Sequence, residues 1–224
     1  MFKPKGMIRS TMEKQLRGSS MWVVKIGGSL LGSPELVRWL EIVVKFSDGK
    51  IIIVPGGGVF ADAVRDAQKL SKISDACAHR LAVLAMDQFG LVLASLNPLL
   101  VTASSELEIA ERTWQHRGIV WLPSKMVLSD DTIPQSWDVT SDSLAAWLAR
   151  KMDAKHLVLV KSDKPEDSQL SLKLMTENGL IDQAFSDFVQ NQPFSMWMVK
   201  KTDFTHFEDG VCGHKLEKVA SSIQ

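Results

Sequence analysis

Short, wholly apolar runs alternate along the chain with segments whose apolar residues recur every three or four positions. The first pattern is typical of strands buried on both faces, and the second of helices that lie against a sheet. Strands are expected at Trp22–Ile26, Ile51–Val54, Ile119–Leu122, Leu157–Val160, Ser195–Val199 and, last, Val211–Leu216. Helices are expected over residues 34–46, 58–70, 74–93, 141–152 and 181–190.

This alternation of strands and helices predicts an α/β fold with an open, mainly parallel sheet sandwiched by helices. Residues 95–117 show neither period clearly, and no element is predicted there. No repeat or low-complexity linker divides the chain. We therefore expect a loose leader over residues 1–20 and a single domain over residues 21–224.

The composition of the chain narrows the classes of function. Lysine plus arginine and aspartate plus glutamate number 26 each among 224 residues, so no net field recruits nucleic acid or an anionic membrane. No apolar run is seen to approach the roughly 20 residues of a membrane span. Cys77 and Cys212 are too far apart for a C-x-x-C pair. We therefore expect reduced thiols and a cytoplasmic protein. We expect neither nucleic acid nor a membrane as a partner.

Two glycine-rich turns follow the first two predicted strands. One contains Gly27, Gly28 and Ser29, and the other is Gly56-Gly57-Gly58. Glycines allow backbone N–H groups to approach a ligand closely, and the helix that follows each turn adds partial positive charge. Together the two turns predict a site that binds phosphate groups.

Lys25 interrupts the apolar character of the first strand, two residues before Gly27. A buried charge is costly without a partner, and the carboxyl ends of parallel strands border the crevice where ligands bind. A functional lysine is one interpretation. The other is a lysine that extends out to solvent at the edge of the sheet.

A third polar segment, Asp138–Ala146, opens the helix predicted from residue 141. Asp142 falls in its first turn, where the helix dipole favours a carboxylate. Asp142 then either compensates the dipole or orients the active-site lysine.

Other nucleotide-binding patterns fit less well. No G-x-x-x-x-G-K-[ST] sequence occurs, which excludes a P-loop. Gly56, Gly58 and Ala61 match G-x-G-x-x-A, but the turn begins after Pro55 and belongs to the second strand–helix unit. A dinucleotide-dependent oxidoreductase would also need a ribose-binding acid at a strand end, and Asp75 falls at a helix start.

Between Trp22 and Asp163 the three segments resemble, in order and spacing, the amino-acid kinase family. The resemblance implies an α/β/α sandwich that transfers the γ-phosphoryl group of ATP, with Mg²⁺, to a carboxylate, phosphate or carbamate oxygen. It implies an acceptor-binding part over residues 21–135, a nucleotide-binding part over residues 136–224, and a homo-oligomer.

The resemblance also assigns roles to single residues. Lys25 would neutralise the moving phosphoryl group, and Asp142 would position that lysine. The family's late glycine-rich segment with a second lysine has no counterpart here, so Lys161 is the candidate for that role, unless it is only a solvated lysine after a strand. Phosphate-binding roles fall to Gly27, Gly28, Ser29, Gly56, Gly57 and Gly58. Ser162 and Asp163 would meet the nucleotide.

The helix around residues 75–93 resembles a branch of this family that phosphorylates an aminomethylfuran phosphate for methanofuran assembly. Such an acceptor carries a phosphate and an ammonium. Asp62 or Asp87 would meet the amine, and His79 and Arg80 the phosphate; an exposed helix acid and a histidine between helices are the alternatives. Another acceptor (a carboxylate or a nucleoside monophosphate) and a non-catalytic oxyanion-binding protein stay open as alternative functions.

Overall fold

The computed structural model describes residues 21–165, 169–208, 216 and 219–223. The expected leader over residues 1–20 lies outside this part of the chain. So does almost all of the expected last strand, of which only Leu216 is described, in a helical conformation.

Among the described residues, eight strands form one sheet in the order β3-β4-β2-β1-β5-β7-β8-β6. Pairing is parallel from β3 across to β7 and between β6 and β8, and antiparallel between β7 and β8. The strands are β1 Trp22–Ile26, β2 Ile51–Pro55, β3 Leu100–Ala103, β4 Gly118–Trp121, β5 His156–Lys161, β6 Gln169–Leu170, β7 Ser195–Lys200 and β8 Ser221–Ile223. The predicted mainly parallel α/β fold is confirmed.

Helices flank this sheet. They are α1 Pro34–Phe46, α2 Gly58–Ser71, α3 Asp75–Leu96, α4 Glu106–Trp114, α5 Ser124–Val127, α6 Ser141–Lys151, α7 Leu172–Glu177 and α8 Phe185–Val189, with 3₁₀ turns at Gly28–Leu30 and Lys201–Phe207. The unassigned stretch 95–117 contains β3 and α4. β3 is an edge strand of sequence LVTA whose middle residues, Val101 and Thr102, are partly exposed, so it shows no long apolar run. The helix expected over residues 181–190 is only the short α8.

Both faces of the central strands are buried, as their largely apolar sequences require. Val23 of β1 packs into a core cluster with Leu144 of α6, on one face of the sheet. Val24 packs into a second cluster with Leu40 of α1. This two-sided burial holds β1 and its neighbours rigidly beneath the loops at their carboxyl ends.

Helix α3 is the longest helix of the described part and has 22 residues. By length and mean hydropathy alone this helix could cross a membrane. No such span was expected from the sequence, because Arg80 and Asp87 interrupt the apolar run. In the fold it lies against β2, β3 and β4, with Phe89 and Leu93 fully buried.

The order of the strands reverses at β1. The chain runs from β1 to β2 on one side, and later to β5 on the other side. Helical connections therefore diverge here, and a crevice opens outside the carboxyl ends of β1 and β5, where ligands bind in open α/β sheets. The first glycine turn follows β1 at this crevice, and the second follows the neighbouring β2.

The two glycine turns touch each other through their backbones. A Cβ atom on Gly28 would lie 2.2 Å from both Cα and N of Gly58. Gly58 itself has a φ of +54°, in the left-handed region. These glycines are therefore required for packing, whatever they bind.

We expect Gly28→Ala to lower the free energy of unfolding by about 2 kcal/mol or more, because backbone atoms must move to admit the methyl group. Gly27→Ala is the matched control. Its Cβ would meet its nearest neighbours, Ser29 Oγ and Val160 O, at 3.5 Å, an ordinary contact. Urea unfolding of both variants measures the difference, and equal stabilities would contradict the close packing of the turns.

Candidate active site

A buried carboxylate bridges two lysines at the crevice. Asp142 Oδ1 lies 2.9 Å from Lys25 Nζ, and Asp142 Oδ2 lies 2.7 Å from Lys161 Nζ. Lys25 and Asp142 are only 5% and 4% exposed. The three side chains form a compact cluster with one net positive charge.

Three elements of the fold bring this cluster together. Lys25 lies in β1 between Val54 of β2 and Leu159 of β5, so it is far from any sheet edge. The interpretation of an edge lysine reaching solvent is therefore wrong. Lys161 ends β5, and Asp142 is the second residue of α6.

Charges within the cluster shift the pKa values of Asp142 and Lys161. Burial alone would raise the pKa of Asp142, but the ammonium groups of Lys25 and Lys161 outweigh burial and lower this pKa to about 2. Burial and the nearby charge of Lys25 lower the pKa of Lys161 to about 8, although Asp142 acts in the opposite direction. At pH 7 the carboxylate is ionised and Lys161 is protonated.

The start of α6 is capped from outside the helix. The N-cap residue Thr140 makes no side-chain capping bond of its own. Asp182, just before α8, instead accepts hydrogen bonds from the N–H groups of Thr140 and Ser143, at 2.9 and 3.0 Å. It also accepts from the hydroxyls of both residues. Asp142 is thus left to pair with the lysines.

A cleft of about 330 Å³ opens beside the cluster. Six of the predicted site residues line it: Gly28, Ser29, Gly57, Gly58, Asp62 and His79. Sequence reasoning missed Arg65 and Trp137, which also line the cleft. Arg65 lies one helical turn after Asp62 on α2, and this spacing was the available signal.

Arg65 is braced within the cleft. Its guanidinium lies 2.8 Å from Asp62 Oδ1 and stacks 4.5 Å from the centre of the Trp137 ring. The indole N–H of Trp137 donates to Gln68 Oε1 at 2.6 Å, and Gln68 donates to Asp75 at 2.7 Å. The cleft therefore presents a carboxylate and a guanidinium side by side in fixed positions.

His79 is buried at the wall of the cleft. Its Nδ1 lies 3.0 Å from the carbonyl oxygen of Ser136, and a carbonyl only accepts, so Nδ1 carries the proton. Burial lowers the pKa of His79, against the effect of this hydrogen bond. The ring is neutral at pH 7, and Nε2 is an acceptor.

Two of the predicted acceptor-binding residues do not line the cleft. Arg80 follows His79 on α3, so it lies about 100° further around the helix, and its side chain is exposed. Asp87 is half buried and accepts a hydrogen bond from the backbone N–H of Ser124, at the start of α5, at 3.1 Å. Burial raises the pKa of Asp87 against the effect of this bond.

The crevice is spanned by a hydrogen bond between two hydroxyl groups. Ser29 Oγ, in the first glycine turn, lies 2.6 Å from Ser162 Oγ, just after β5. Beside it, Asp163 forms an ion pair with Lys200 at 2.8 Å. The amide of Gly27 is directed at Val160 O at 3.4 Å, so it continues the sheet pairing and does not face the cleft.

Within the part of the chain that the structure describes, no three His, Cys, Asp or Glu side chains cluster as a metal site would require. Cys77 is a free, exposed thiol, and Cys212 lies outside the described residues.

The chain belongs to the amino acid kinase family, whose model matches residues 20–164. This match covers β1, both glycine turns and the whole lysine–aspartate cluster. The resemblance inferred from the sequence is confirmed.

Two kinds of relative refine the comparison. The [5-(aminomethyl)furan-3-yl]methyl phosphate kinase of Methanocaldococcus jannaschii is 34% identical over 140 residues, 62% of this chain and 64% of that protein. The match therefore spans less than two thirds of the length of that kinase. The uridylate kinase of Archaeoglobus fulgidus has a TM-score of 0.64 at 16% identity, covering 91% of this chain and 100% of that chain. The aspartate kinase of Synechocystis has a TM-score of 0.60 at 13% identity, covering 82% and 38% respectively. The two structures share the fold.

We expect Asp142→Asn to lower the free energy of unfolding at pH 7 by about 3 kcal/mol, because the buried Lys25 and the partly buried Lys161 lose their shared counter-charge. The loss should shrink as pH rises. Lys161 loses the charge that raises its pKa, so its pKa falls below about 8 and the lysine is neutral at pH 9.

Urea unfolding at pH 7 and pH 9 measures this difference. Asp48→Asn is the control, since Asp48 pairs with Lys50 and His116 on the surface and should contribute less than about 1 kcal/mol. A loss in Asp142→Asn that is the same at both pH values would contradict the electrostatic account.

Proposed function

We propose that this protein is an ATP-dependent kinase that transfers the γ-phosphoryl group to a phosphorylated small molecule. The proposed acceptor is [5-(aminomethyl)furan-3-yl]methyl phosphate, in methanofuran-type biosynthesis. The observation that carries the proposal is the Lys25–Asp142–Lys161 cluster at the crevice, next to a cleft lined by both glycine turns. Family membership and the aminomethylfuran phosphate kinase relative support it.

The chemistry requires positioning and charge more than covalent participation by the protein. An oxygen of the acceptor phosphate attacks Pγ of ATP, the bond from Pγ to the β–γ bridging oxygen breaks, and ADP leaves with that electron pair. Lys25 and Lys161 stabilise the negative charge on the transferring group and on the departing oxygen. Asp142 holds both ammonium groups in place through its two oxygens.

The nucleotide is assigned to the crevice side of β5, within residues 136–224. The Ser162 hydroxyl would bind phosphate oxygens there. The Asp163–Lys200 ion pair lies next to it, at the carboxyl end of β5. Mg²⁺ would be held chiefly by the phosphates of ATP, since a metal of this kind commonly binds through substrate phosphates and few carboxylates. It would add positive charge to the transferring group.

The acceptor is assigned to the cleft within residues 21–135, because the charges of the cleft match it. Arg65 and the amides of Gly28, Gly57 and Gly58 suit the phosphate, whereas Asp62 and the acceptor nitrogen of His79 suit the ammonium. Gly27, Gly56 and Ser29 shape the turns around that phosphate.

The test of the function is transfer from labelled ATP to a panel of acceptors, with Mg²⁺ and with excess EDTA. The panel contains the aminomethylfuran phosphate, a nucleoside monophosphate and a simple carboxylate. Fastest transfer to the furan with Mg²⁺ present supports the proposal. Faster transfer to another acceptor would show that the protein is a kinase with a different substrate. Tight ATP binding without any transfer would indicate a non-catalytic nucleotide-binding protein.

We also propose that the enzyme acts in the cytoplasm as a homo-oligomer. Support for self-association comes from one face of α3, where Leu84 and Leu91 are 43% and 55% exposed. Exposed apolar side chains along one helix face are typical of a contact between copies.

We expect Lys25→Met to lower kcat by at least about 100-fold, since one cation that stabilises the transferring group is lost. Methionine keeps the buried volume, and Asp142 keeps Lys161 as its partner at 2.7 Å, so the fold should persist. Steady-state kinetics of the folded variant measure this effect. A kcat near that of the wild type would contradict the assigned role of Lys25.

We expect Asp62→Asn to raise the KM for the aminomethyl acceptor by about 10-fold, and Arg65→Met to raise it by a similar factor, as each variant loses one charge that matches the acceptor. The KM for ATP should hardly change. An acceptor that lacks the amine should bind the Asp62→Asn variant as well as it binds the wild type, but it should still bind Arg65→Met weakly.

The control for this pair is Arg38→Met. Arg38 pairs with Glu41 at 2.8 Å with the same three-residue spacing, but on α1 and outside the cleft. Its kinetics should match the wild type. If Asp62→Asn affects both acceptors equally, Asp62 does not recognise the amine.

A further inference from the structure

We propose that Asp182 is a positioning residue for phosphoryl transfer, because it holds the first turn of α6 and thereby places Asp142 between the two lysines. Within the part of the chain that the structure describes, Asp182 makes no hydrogen bond or ion pair to either lysine and does not itself line the cleft, although its partner Thr140 does. Its influence on the reaction, which rests on the proposed kinase function, would pass through the backbone of α6.

Asp182 accepts hydrogen bonds from residues that precede and follow Asp142 in the sequence. Oδ2 accepts from the Thr140 N–H, from the Thr140 hydroxyl at 2.9 Å and from the Ser143 N–H, while Oδ1 accepts from the Ser143 hydroxyl. Asp142 lies between these donors in sequence. One carboxylate therefore fixes the residues on either side of the bridging aspartate.

The segment that carries Asp182 is itself anchored to the same region. The N–H of Ala184 donates to the carbonyl oxygen of Asp138 at 3.0 Å, and α8 packs against α6. The cap and its support therefore form a closed loop of contacts around the start of α6.

The position of Asp142 must be set accurately because its contacts with the two lysines are short and are made at the same time. Its two oxygens bind two different ammonium groups at 2.9 and 2.7 Å, so a small rotation of the first turn lengthens one contact or the other. Burial and the charge of Asp142 also raise the pKa of Asp182, against the effect of its hydrogen bonds. The two carboxylates are thus electrostatically coupled as well as mechanically linked.

The experiment compares Asp182→Ala with Asp182→Asn. Alanine removes every hydrogen bond of the cap, whereas asparagine keeps one carbonyl oxygen for the Thr140 and Ser143 N–H groups and removes the charge. We expect Asp182→Ala to lower kcat by roughly 10- to 100-fold, with KM values for ATP and acceptor changed less than about twofold. Asparagine should restore most of the lost kcat.

A second readout does not depend on kinase activity. The titration of Lys161 is followed by NMR with ¹³C-labelled lysine in the protein without substrates, and Lys161→Arg identifies its signal. If Asp142 moves away from Lys161, the group that raises the pKa of Lys161 is weakened, so this pKa should fall below about 8 in Asp182→Ala. Failure of the proposed kinase function would leave this measurement intact.

Asp130→Ala is the matched control. Asp130 also accepts hydrogen bonds, from Thr132 and from the indole N–H of Trp147 in α6, but it touches the helix away from its first turn. Its kcat and the Lys161 titration should match the wild type. Thermal unfolding checks that each variant is folded.

If Asp182→Ala does not fold, the double variant Thr140→Val and Ser143→Ala removes both donor hydroxyls while keeping the backbone cap. It should lower kcat and the pKa of Lys161 by smaller amounts. A folded Asp182→Ala, or a folded double variant, with unchanged kcat and unchanged Lys161 titration would overturn the proposal. Equal damage by Asp182→Asn and Asp182→Ala would also overturn it, because charge and not hydrogen bonding would then be responsible.

Discussion

The Asp142 carboxylate between the ammonium groups of a buried and a partly buried lysine is the constraint on which the rest of the site depends. A buried lysine is costly without a counter-charge, and the pair is tolerated here because one aspartate serves both. This requirement ties together three parts of the chain that are far apart in sequence: β1, the end of β5 and the first turn of α6. The reversal of strand order at β1 is what lets them meet.

The charges of the site separate into two groups around this cluster. On one side lies a cleft with a fixed carboxylate and guanidinium, Asp62 and Arg65, against the Trp137 ring. On the other side lies the edge after β5, with Ser162 and the Asp163–Lys200 pair. The hydroxyl bridge between Ser29 and Ser162 marks the line between them. A substrate on each side would bring its phosphate groups towards the two lysines.

The sequence predicted the parts of the fold and site that local pattern determines. Largely apolar runs located β1, β2, β4, β5 and β7, and the lysine that interrupts the first of them pointed to the crevice. Edge strand β3 was not predicted, because exposure of its middle residues removes the apolar run. Arg65 and Asp182 were missed for a different reason. Their importance comes from partners that only the tertiary fold supplies: Trp137 lies 72 positions beyond Arg65, and Thr140 lies 42 positions before Asp182.

Contact between the glycine turns has a consequence for how this fold diversifies. Since Gly28 and Gly58 meet backbone to backbone, a side chain at Gly28 would displace the second turn, and one at Gly58 would press on the first. Changes of acceptor preference in a lineage that keeps this packing are thereby directed away from the turns. They fall instead on the helix surface behind them, where the side chains of Asp62 and Arg65 line the cleft and are 67% and 46% exposed. If the turns bind phosphate as proposed, their backbone would serve any phosphate acceptor, and selectivity would change through single positions on the helix.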